Sequence, residues 1–290
     1  MKKLGYIKGQ RVDFKDGFIV VPPFPTKMNL AEPDVYAESE DPLYPIGTLA
    51  WFPGTGKKYR YSKAGTALAG TKVLVVNGNR PPTATGYEDV NGFYGNVATV
   101  HEAGAREITF VDTIDRVKDY YAGAHLLIFD ADRNVCFEDS YIVSGPPAPT
   151  EDPWSTTVTL LKAKKYKIFA NDGIEIWLNP YSNIVKHDVE PVEADRRFQT
   201  SMGVPPIPVH DGYYFWLQTA GPVFITPNSW AELCPGYNGN KRMCWMHQGG
   251  GIITCTDAAG VSDQPVGVLL SLTLEHSADA WVNLDLDLGH

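Results

Sequence analysis

Short runs of alternating apolar and polar residues, separated by turns rich in glycine and proline, recur along most of the chain. The C-terminal stretch AWVNLDLDL (280–288) is the plainest example, because every second residue from Ala280 onward is apolar. Alternation with period two is typical of strands that bury one face in a core. The pattern predicts strands at residues 48–52, 57–62, 72–76, 96–99, 107–111, 125–130, 136–143, 156–161, 165–169, 174–178, 213–219, 223–226, 251–255, 267–272 and 280–288.

Polar and glycine-rich turns join several of these strands into hairpins. The turn sequences are PGTG (53–56), DADRN (130–134) and NDG (171–173), and they supply the residues that tight turns favour. Only the stretch DTIDRVKDYY (112–121) has apolar residues at helical spacing, and it predicts one short helix. The sequence therefore predicts an all-β fold of sandwich or barrel modules.

Two proline-rich segments divide the chain. Residues 1–45 carry many prolines and no helical period, so they predict an extended N-terminal arm. The stretch GPPAPTEDP (145–153) separates a first β-module at 46–145 from a second at 154–290, unless the two form one continuous domain.

The arm is too apolar to be a simple linker, and its apolar residues need a surface to cover. Two interpretations are open: the arm lies across its own domain, or it reaches a neighbouring subunit. For the second interpretation, the candidate interface residues are Phe18, Val20, Phe24, Met28, Leu30 and Tyr36.

The stretch WFPGTGKKYRY (51–61) contains a glycine–lysine pair that suggests a phosphate-binding loop. A P-loop also requires a glycine five positions before Gly56 and a Ser or Thr after Lys57, but Trp51 and Lys58 stand there. The residues that follow alternate as in a strand, whereas a P-loop leads into a helix. A hairpin is the better interpretation.

The composition narrows the range of partners. The chain has 290 residues, a net charge of -9 and a pI of about 5.2. An acidic surface disfavours nucleic acid and anionic membranes, so we expect neither as a partner. The basic start MKKLGYIKGQR lacks the apolar region of a signal peptide, which indicates synthesis in a cytoplasm.

The residues that carry chemistry form no motif specific to catalysis or metal binding. A Cys3His zinc site could be drawn from Cys234, Cys244, His247 and Cys255, but the short spacing typical of such sites is missing. Buried free thiols are favoured. We expect no cofactor, no metal and no enzymatic activity, although scattered carboxylates near aromatic residues keep a glycan-binding or glycan-cleaving domain open.

Five stretches, in order, resemble a group of tailed-bacteriophage virion structural proteins. PIGT (45–48) with KYRYSKAGTALAG (58–70) is similar to the opening "PLGT…G…YRYVKAG.AL..G" of that group. DYYAGAHL (119–126) is similar to its "N-x-Y-A-G-G-x-L" step, and EDSYIVSG (138–145) is similar to its "G-x-x-Y-x-I-x-G" step. DGYYFWLQTAGP (211–222) is similar to its "Y-F-W-V-Q-T-x-G-P" step, and WVNLDL (281–286) is similar to its closing strand.

The resemblance covers residues 45–290 and departs from the family at Ala124, which stands where the second glycine is expected. It implies a non-enzymatic capsid decoration, or cement, protein on the virion exterior. The resemblance implies the major capsid protein and further copies of the chain as partners, with a trimer at local threefold positions as one arrangement. The alternatives are a neck, tail or fibre-associated virion protein, or the glycan-directed domain named above.

Overall fold

The computed structural model describes residues 10–22, 32–68, 72–78, 92–112, 120–132, 136–144, 154–187, 200–225, 242–247, 250–254, 261–272 and 280–286. The described chain is built from antiparallel strands and contains no α-helix, which confirms the all-β prediction. The strands are β1 (Gln10–Asp13), β2 (Phe18–Val21), β3 (Glu38–Ser39), β4 (Leu49–Phe52), β5 (Lys57–Lys63), β6 (Val75–Asn77), β7 (Gly92–Asn96), β8 (Glu107–Asp112), β9 (His125–Phe129), β10 (Cys136–Ser144), β11 (Trp154–Leu160), β12 (Gly173–Trp177), β13 (Ile184–Lys186), β14 (Ser201–Gly203), β15 (Tyr214–Ile225), β16 (Met243–His247), β17 (Ile252–Ile253), β18 (Val261–Leu272) and β19 (Ala280–Asp285).

The chain divides into two compact units, whose bounds differ from the two predicted modules. Unit 1 consists mainly of residues 79–179, and unit 2 takes residues 10–21, 28–78 and 180–290. The difference arises because β5, from the first predicted module, pairs along its length with β15, from the second. Strand pairing between distant segments cannot be inferred from a proline-rich boundary alone.

Unit 1 is a six-stranded antiparallel barrel. Its strand order is β7-β12-β9-β10-β11-β8, and a bridge between Val97 and Phe110 joins the chain just beyond β7 to β8. Alternating residues point inward, as the sequence pattern requires, and fill the interior. The buried core is Phe93, Val97, Ile108, Phe110, Tyr121, Ala124, Leu126, Ile128, Ile142, Val158, Leu160, Ile168, Ile174, Ile176 and Leu178.

Unit 2 is centred on a large antiparallel sheet. Its main strand order is β1-β2-β4-β5-β15-β19-β18-β16-β17, and the short β3 also pairs with β15. A three-stranded sheet of order β13-β6-β14 completes the unit. Gly78 N–H donates to the Asn183 carbonyl at 2.8 Å, so the two ends of the segment that contains unit 1 lie side by side within unit 2.

The described parts of the predicted arm belong to their own chain's sheet. β1 and β2 form a hairpin, and β2 pairs with β4 through Phe18–Trp51, Ile19–Ala50 and Val20–Leu49. Residues 32–45 lie over the same sheet, with Val35 and Tyr44 buried in its core. For these segments the structure favours the first of the two interpretations.

Several strand predictions need correction. The predicted strands 213–219 and 223–226 form one strand, β15, because Gly221 serves a close approach and not a turn: a Cβ there would lie 2.6 Å from the Gly56 carbonyl oxygen. Residues 165–169 are not a strand, and only Ile168 makes a β-bridge, to His101. The strand expected at 96–99 lies earlier, as β7. Most of the predicted helix, residues 113–119, lies outside the described residues.

Candidate interaction surfaces

The large sheet of unit 2 is covered on one face at each of its ends. At the β1-β2-β4-β5 end, residues 32–45 cover the face that carries Ile19, Ala50 and Tyr61. At the β19-β18-β16 end, residues of the three-stranded sheet pack against Val223, Val282 and Leu284. Each end therefore leaves the other side of its strands exposed.

The first exposed face carries two adjacent aromatic rings flanked by two cations, on four neighbouring strands. The Arg11 guanidinium lies 3.7 Å from the centre of the Phe18 ring, and Phe18 meets Trp51 edge to face at 5.3 Å. The Lys58 ammonium lies 5.3 Å from the Trp51 ring. We call Arg11, Phe18, Trp51 and Lys58 the ladder. Cation–π contacts of this kind hold exposed rings in place, so the ladder is a defined surface.

An aromatic cluster on the other side of the same strands anchors the covering segment. Tyr61 is in contact with Tyr44, Trp216 and Tyr214, with ring centres 5.1 to 6.0 Å apart. The Tyr61 hydroxyl accepts a hydrogen bond from the Leu43 N–H at 3.0 Å. Burial raises the pKa of Tyr61, and burial also raises the pKa of Tyr44 and of Tyr214. The ring contact of Tyr44 with Tyr61 and this hydrogen bond hold the covering segment on the sheet.

The second exposed face is apolar. Met243, Val268, Leu270 and Trp281 project from β16, β18 and β19, and each is between 40% and 48% exposed. Phe224 on β15 pairs with Trp281 and meets its ring at 5.2 Å. We call these five residues the apolar face. Large apolar side chains gathered on one open side of a sheet are typical of a surface that another protein covers.

The predicted interface residues fall in three places. Phe18 and Val20 are partly buried and point to the ladder side of the sheet, opposite the buried Ile19 and Val21. Tyr36 is 64% exposed in the segment that covers the sheet. The remaining three, Phe24, Met28 and Leu30, lie outside the described residues.

The sequence reasoning missed most of both surfaces. Trp281 could have been noticed, because it occupies the polar phase of the alternating stretch AWVNLD in β19. Val268 and Leu270 gave no comparable signal. The exposed Leu270 lies at a bulge between Leu269 and Ser271 in the pairing with β19.

A histidine–carboxylate pair holds the covering segment to the rest of unit 2. Glu38 accepts the His210 backbone N–H at 2.8 Å, and its other oxygen lies 2.5 Å from Nδ1 of the same histidine. His210 is also in ring contact with Tyr213, at 5.3 Å. A carboxylate that accepts both the backbone and the ring of one exposed residue fastens two segments together.

The zinc interpretation gains no support from the described residues. Cys244 is buried in the core of unit 2, and burial raises the pKa of its thiol to about 12. Cys234, Cys255 and the His247 side chain lie outside what the structure describes. Within the described ranges, no group of three or more His, Cys, Asp or Glu side chains could hold a metal ion.

Comparisons of the chain with protein-family models, with curated protein sequences and with solved structures return no match. In the part of the chain that the structure describes, no helix is both long and apolar enough to cross a membrane.

Proposed function

We propose that this chain is a non-enzymatic structural protein of a tailed-bacteriophage virion, which binds the outer surface of the capsid and stabilises the shell. Its partners would be the major capsid protein and further copies of itself, and it would be made in the cytoplasm of the host bacterium. One observation carries the proposal: the five stretches that resemble virion structural proteins are paired with one another at the centre of the two units.

In unit 2, three of the five stretches form adjacent strands. KYRYSKAG contains all of β5 but its first residue, YFWLQTAGP is the first part of β15, and WVNLDL contains all of β19 but its first residue. β15 pairs with β5 through Trp216–Tyr61 and with β19 through Gly221–Leu284. The resemblance therefore lies in the residues that determine the centre of the sheet, as expected of a shared fold with a structural role.

In unit 1, the other two stretches form a second adjacent pair. DYYAGAHL leads into β9 and EDSYIVSG lies in β10, and these strands pair through Tyr141–His125. Gly123, with φ of 81°, donates its N–H to the Ile142 carbonyl at 2.8 Å. Ala124, the departure from the family pattern, is fully buried in the barrel core. The turn needs a glycine only at position 123, so this departure does not weaken the resemblance.

The exposed faces of unit 2 suit a protein that binds a shell. Aromatic residues and arginine are enriched where proteins bind one another, and the ladder contains both. The apolar face offers a second contact surface on the same unit. Many copies on one lattice would allow each contact to be weak, because avidity multiplies modest affinities.

The proposal is tested by mixing the purified protein with empty phage capsids that lack it. We expect binding in high copy number and greater resistance of the shells to heat. Trp51→Ala should weaken binding about tenfold or more if the ladder faces the shell. The matched control is Trp177→Ala in the barrel, because Trp177 is exposed to a similar degree: 38% against 36% for Trp51.

Three outcomes would contradict the proposal. Failure to bind any shell would exclude decoration. A few copies per particle would indicate a neck, tail or fibre position. Hydrolysis or tight binding of host glycans by the purified protein would favour the glycan-directed alternative.

A further inference from the structure

One end of the barrel in unit 1 carries a rigid two-stranded ribbon. Residues 97–107 run beside residues 160–172, and backbone hydrogen bonds join them along their length. His101 and Ile168 exchange both of their backbone hydrogen bonds at 2.9 Å, and the Lys164 N–H donates to Ala105 at 2.9 Å. The backbone of the ribbon is therefore held in a defined arrangement.

The ribbon is basic, although the chain as a whole is acidic. Residues 162–167 read KAKKYK, so four lysines fall within six residues of a chain whose net charge is -9. Lys162, Lys165, Lys167 and the neighbouring Arg106 are exposed. Lys164 is buried and donates to the Glu107 carbonyl, which fixes the ribbon from inside. The exposed lysines give this end of the barrel a local positive potential.

Aromatic and apolar side chains stand among these cations. Tyr166 and Phe169 are each 56% exposed and Val100 is 50% exposed. The Lys167 ammonium lies 5.8 Å from the Phe169 ring and 2.7 Å from a Glu102 carboxylate oxygen. We call Val100, Lys162, Lys165, Tyr166, Lys167 and Phe169 the basic tip.

Unit 2 carries a surface of the opposite charge. Residues 32–41 read EPDVYAESED, with five acidic residues and no lysine or arginine. Glu32, Glu40 and Asp41 are exposed, and so are the apolar Tyr36, at 64%, and Leu43, at 44%. We call residues 32–43 the acidic segment.

The acidic segment is as well anchored as the basic tip. The pairing of β3 with β15 and the contact between Glu38 and His210 hold its middle, and Val35 and Tyr44 are buried in the core on either side. The backbone of neither surface would have to become ordered in order to bind, which lowers the entropic cost of association.

We propose that the basic tip of one copy binds the acidic segment of a second copy. Lysines would face carboxylates, and Tyr166 and Phe169 would pack near Tyr36 and Leu43. The two surfaces differ, so the contact is head-to-tail, and such contacts close into rings or extend into open arrays. The inference rests on the proposed function in one respect: that function includes binding between copies of the chain, and the inference identifies the surfaces that bind. Its test needs no capsid.

The test measures the association of the full-length protein by analytical ultracentrifugation over a concentration series. Wild-type protein should self-associate, and association should weaken as salt is added, because exposed charges are screened. The tip variant K162E/K165E/K167E should associate about 10- to 100-fold more weakly, since like charges would then face each other. The segment variant E32K/E40K/D41K should lose association to the same extent.

Mixing the two variants provides the decisive measurement. Each variant alone carries a tip and a segment 32–43 with charge of the same sign. In the mixture, the tip of one variant can bind the oppositely charged segment of the other. We expect the mixture to recover association. The control K15E/K72E/K186E makes the same change in formal charge at lysines exposed elsewhere and should associate like the wild type. Circular dichroism would establish that all variants are folded.

Several results would overturn the inference. They are a wild-type protein that stays monomeric at low salt, a tip variant that associates normally, and a mixture that does not recover. Loss of binding to heparin or to an oligonucleotide in the tip variant, without any change in self-association, would assign the tip to an anionic polymer. Self-association without binding to capsids would leave this contact standing and remove the shell-binding function.

Discussion

His101 links the pH of the solution to the stability of the barrel. Its Nε2 accepts the Thr109 backbone N–H at 3.0 Å, and only a neutral imidazole can accept there. Burial, followed by the nearby charge of Lys164, lowers the pKa of His101 from 6.5. The unfolded chain therefore binds this proton more readily than the folded chain, so the contribution is complete above about pH 6.5 and is lost as the pH falls below it.

Replacement of His101 by glutamine should reduce this pH dependence, because glutamine keeps an acceptor and does not titrate. The measurement is the midpoint of thermal unfolding at about pH 7.5 and about pH 5.5. The wild type should lose more stability on acidification than His101→Gln. If the two proteins lose the same amount, His101 does not act in this way. His101→Ala should lower stability at both pH values, by about 1–3 kcal/mol, because the Thr109 donor would lose its partner.

Individual residues also show where sequence reasoning reaches its limit. The local pattern was sufficient to exclude a phosphate loop at Gly56-Lys57, and the structure has a hairpin there, with Gly56 at φ of 70°. It was not sufficient at Gly221, whose role depends on the approach of Gly56 from a distant part of the chain. A requirement for glycine that comes from tertiary packing leaves no local signature.

At the scale of elements, strand existence was easier to predict than strand pairing. β5, β8, β9 and β12 lie within a residue of their predicted bounds. In β8 and β9 the reason is the alternation of buried and more exposed residues. The predicted strand at 165–169 was wrong: its lysines and aromatic residues belong to the ribbon, where only Ile168 points into the core. Alternation alone cannot separate a strand from an extended ribbon of this kind.

The candidate surfaces also depend on strand pairing, which is harder to predict from the sequence than the strands themselves. The arm was correctly singled out as apolar, but the sequence could not tell which of its residues would meet the chain's own core. The alternation of β2 decides this: Ile19 and Val21 are fully buried, whereas Phe18 and Val20 are partly exposed on the other side. The exposed set therefore depends on the pairing of β2 with β4.

The paired replacements Ile19→Ala and Val20→Ala test the position of the β1–β2 hairpin. Ile19 in β2 is fully buried and packs in a core cluster rich in aromatic rings. Its truncation should therefore lower the free energy of unfolding by about 2–5 kcal/mol. Val20, the neighbour on the open side, should cost about 1 kcal/mol or less. Chemical denaturation of dilute protein measures both. Equal, small effects would mean that the hairpin does not pack on its own chain in solution.

For the whole molecule, the chain order of the two units determines how each can fold. Unit 1 is contained mainly in the continuous residues 79–179, and its strands close on their own core. Unit 2 needs segments from both sides of that stretch. The two ends of that stretch lie close together within unit 2, because Gly78 and Asn183 are joined by a backbone hydrogen bond, and β6 pairs with β13 beside it. Unit 1 is therefore an insertion between two paired strands of unit 2.

An insertion with adjacent ends should be removable. We expect residues 79–179, expressed alone, to fold cooperatively, because the barrel closes by the bridge between Val97 and Phe110 without help from unit 2. We also expect unit 2 to fold when a short glycine–serine linker joins Gly78 to Pro180, since the linker has only to span a β-hairpin connection. Tyr181 should be kept, because it is buried in the unit 2 core.

Thermal unfolding and NMR dispersion measure both fragments. If neither fragment unfolds cooperatively, the units depend on each other for stability; if only the barrel folds, unit 2 needs the insertion to bring β6 and β13 together.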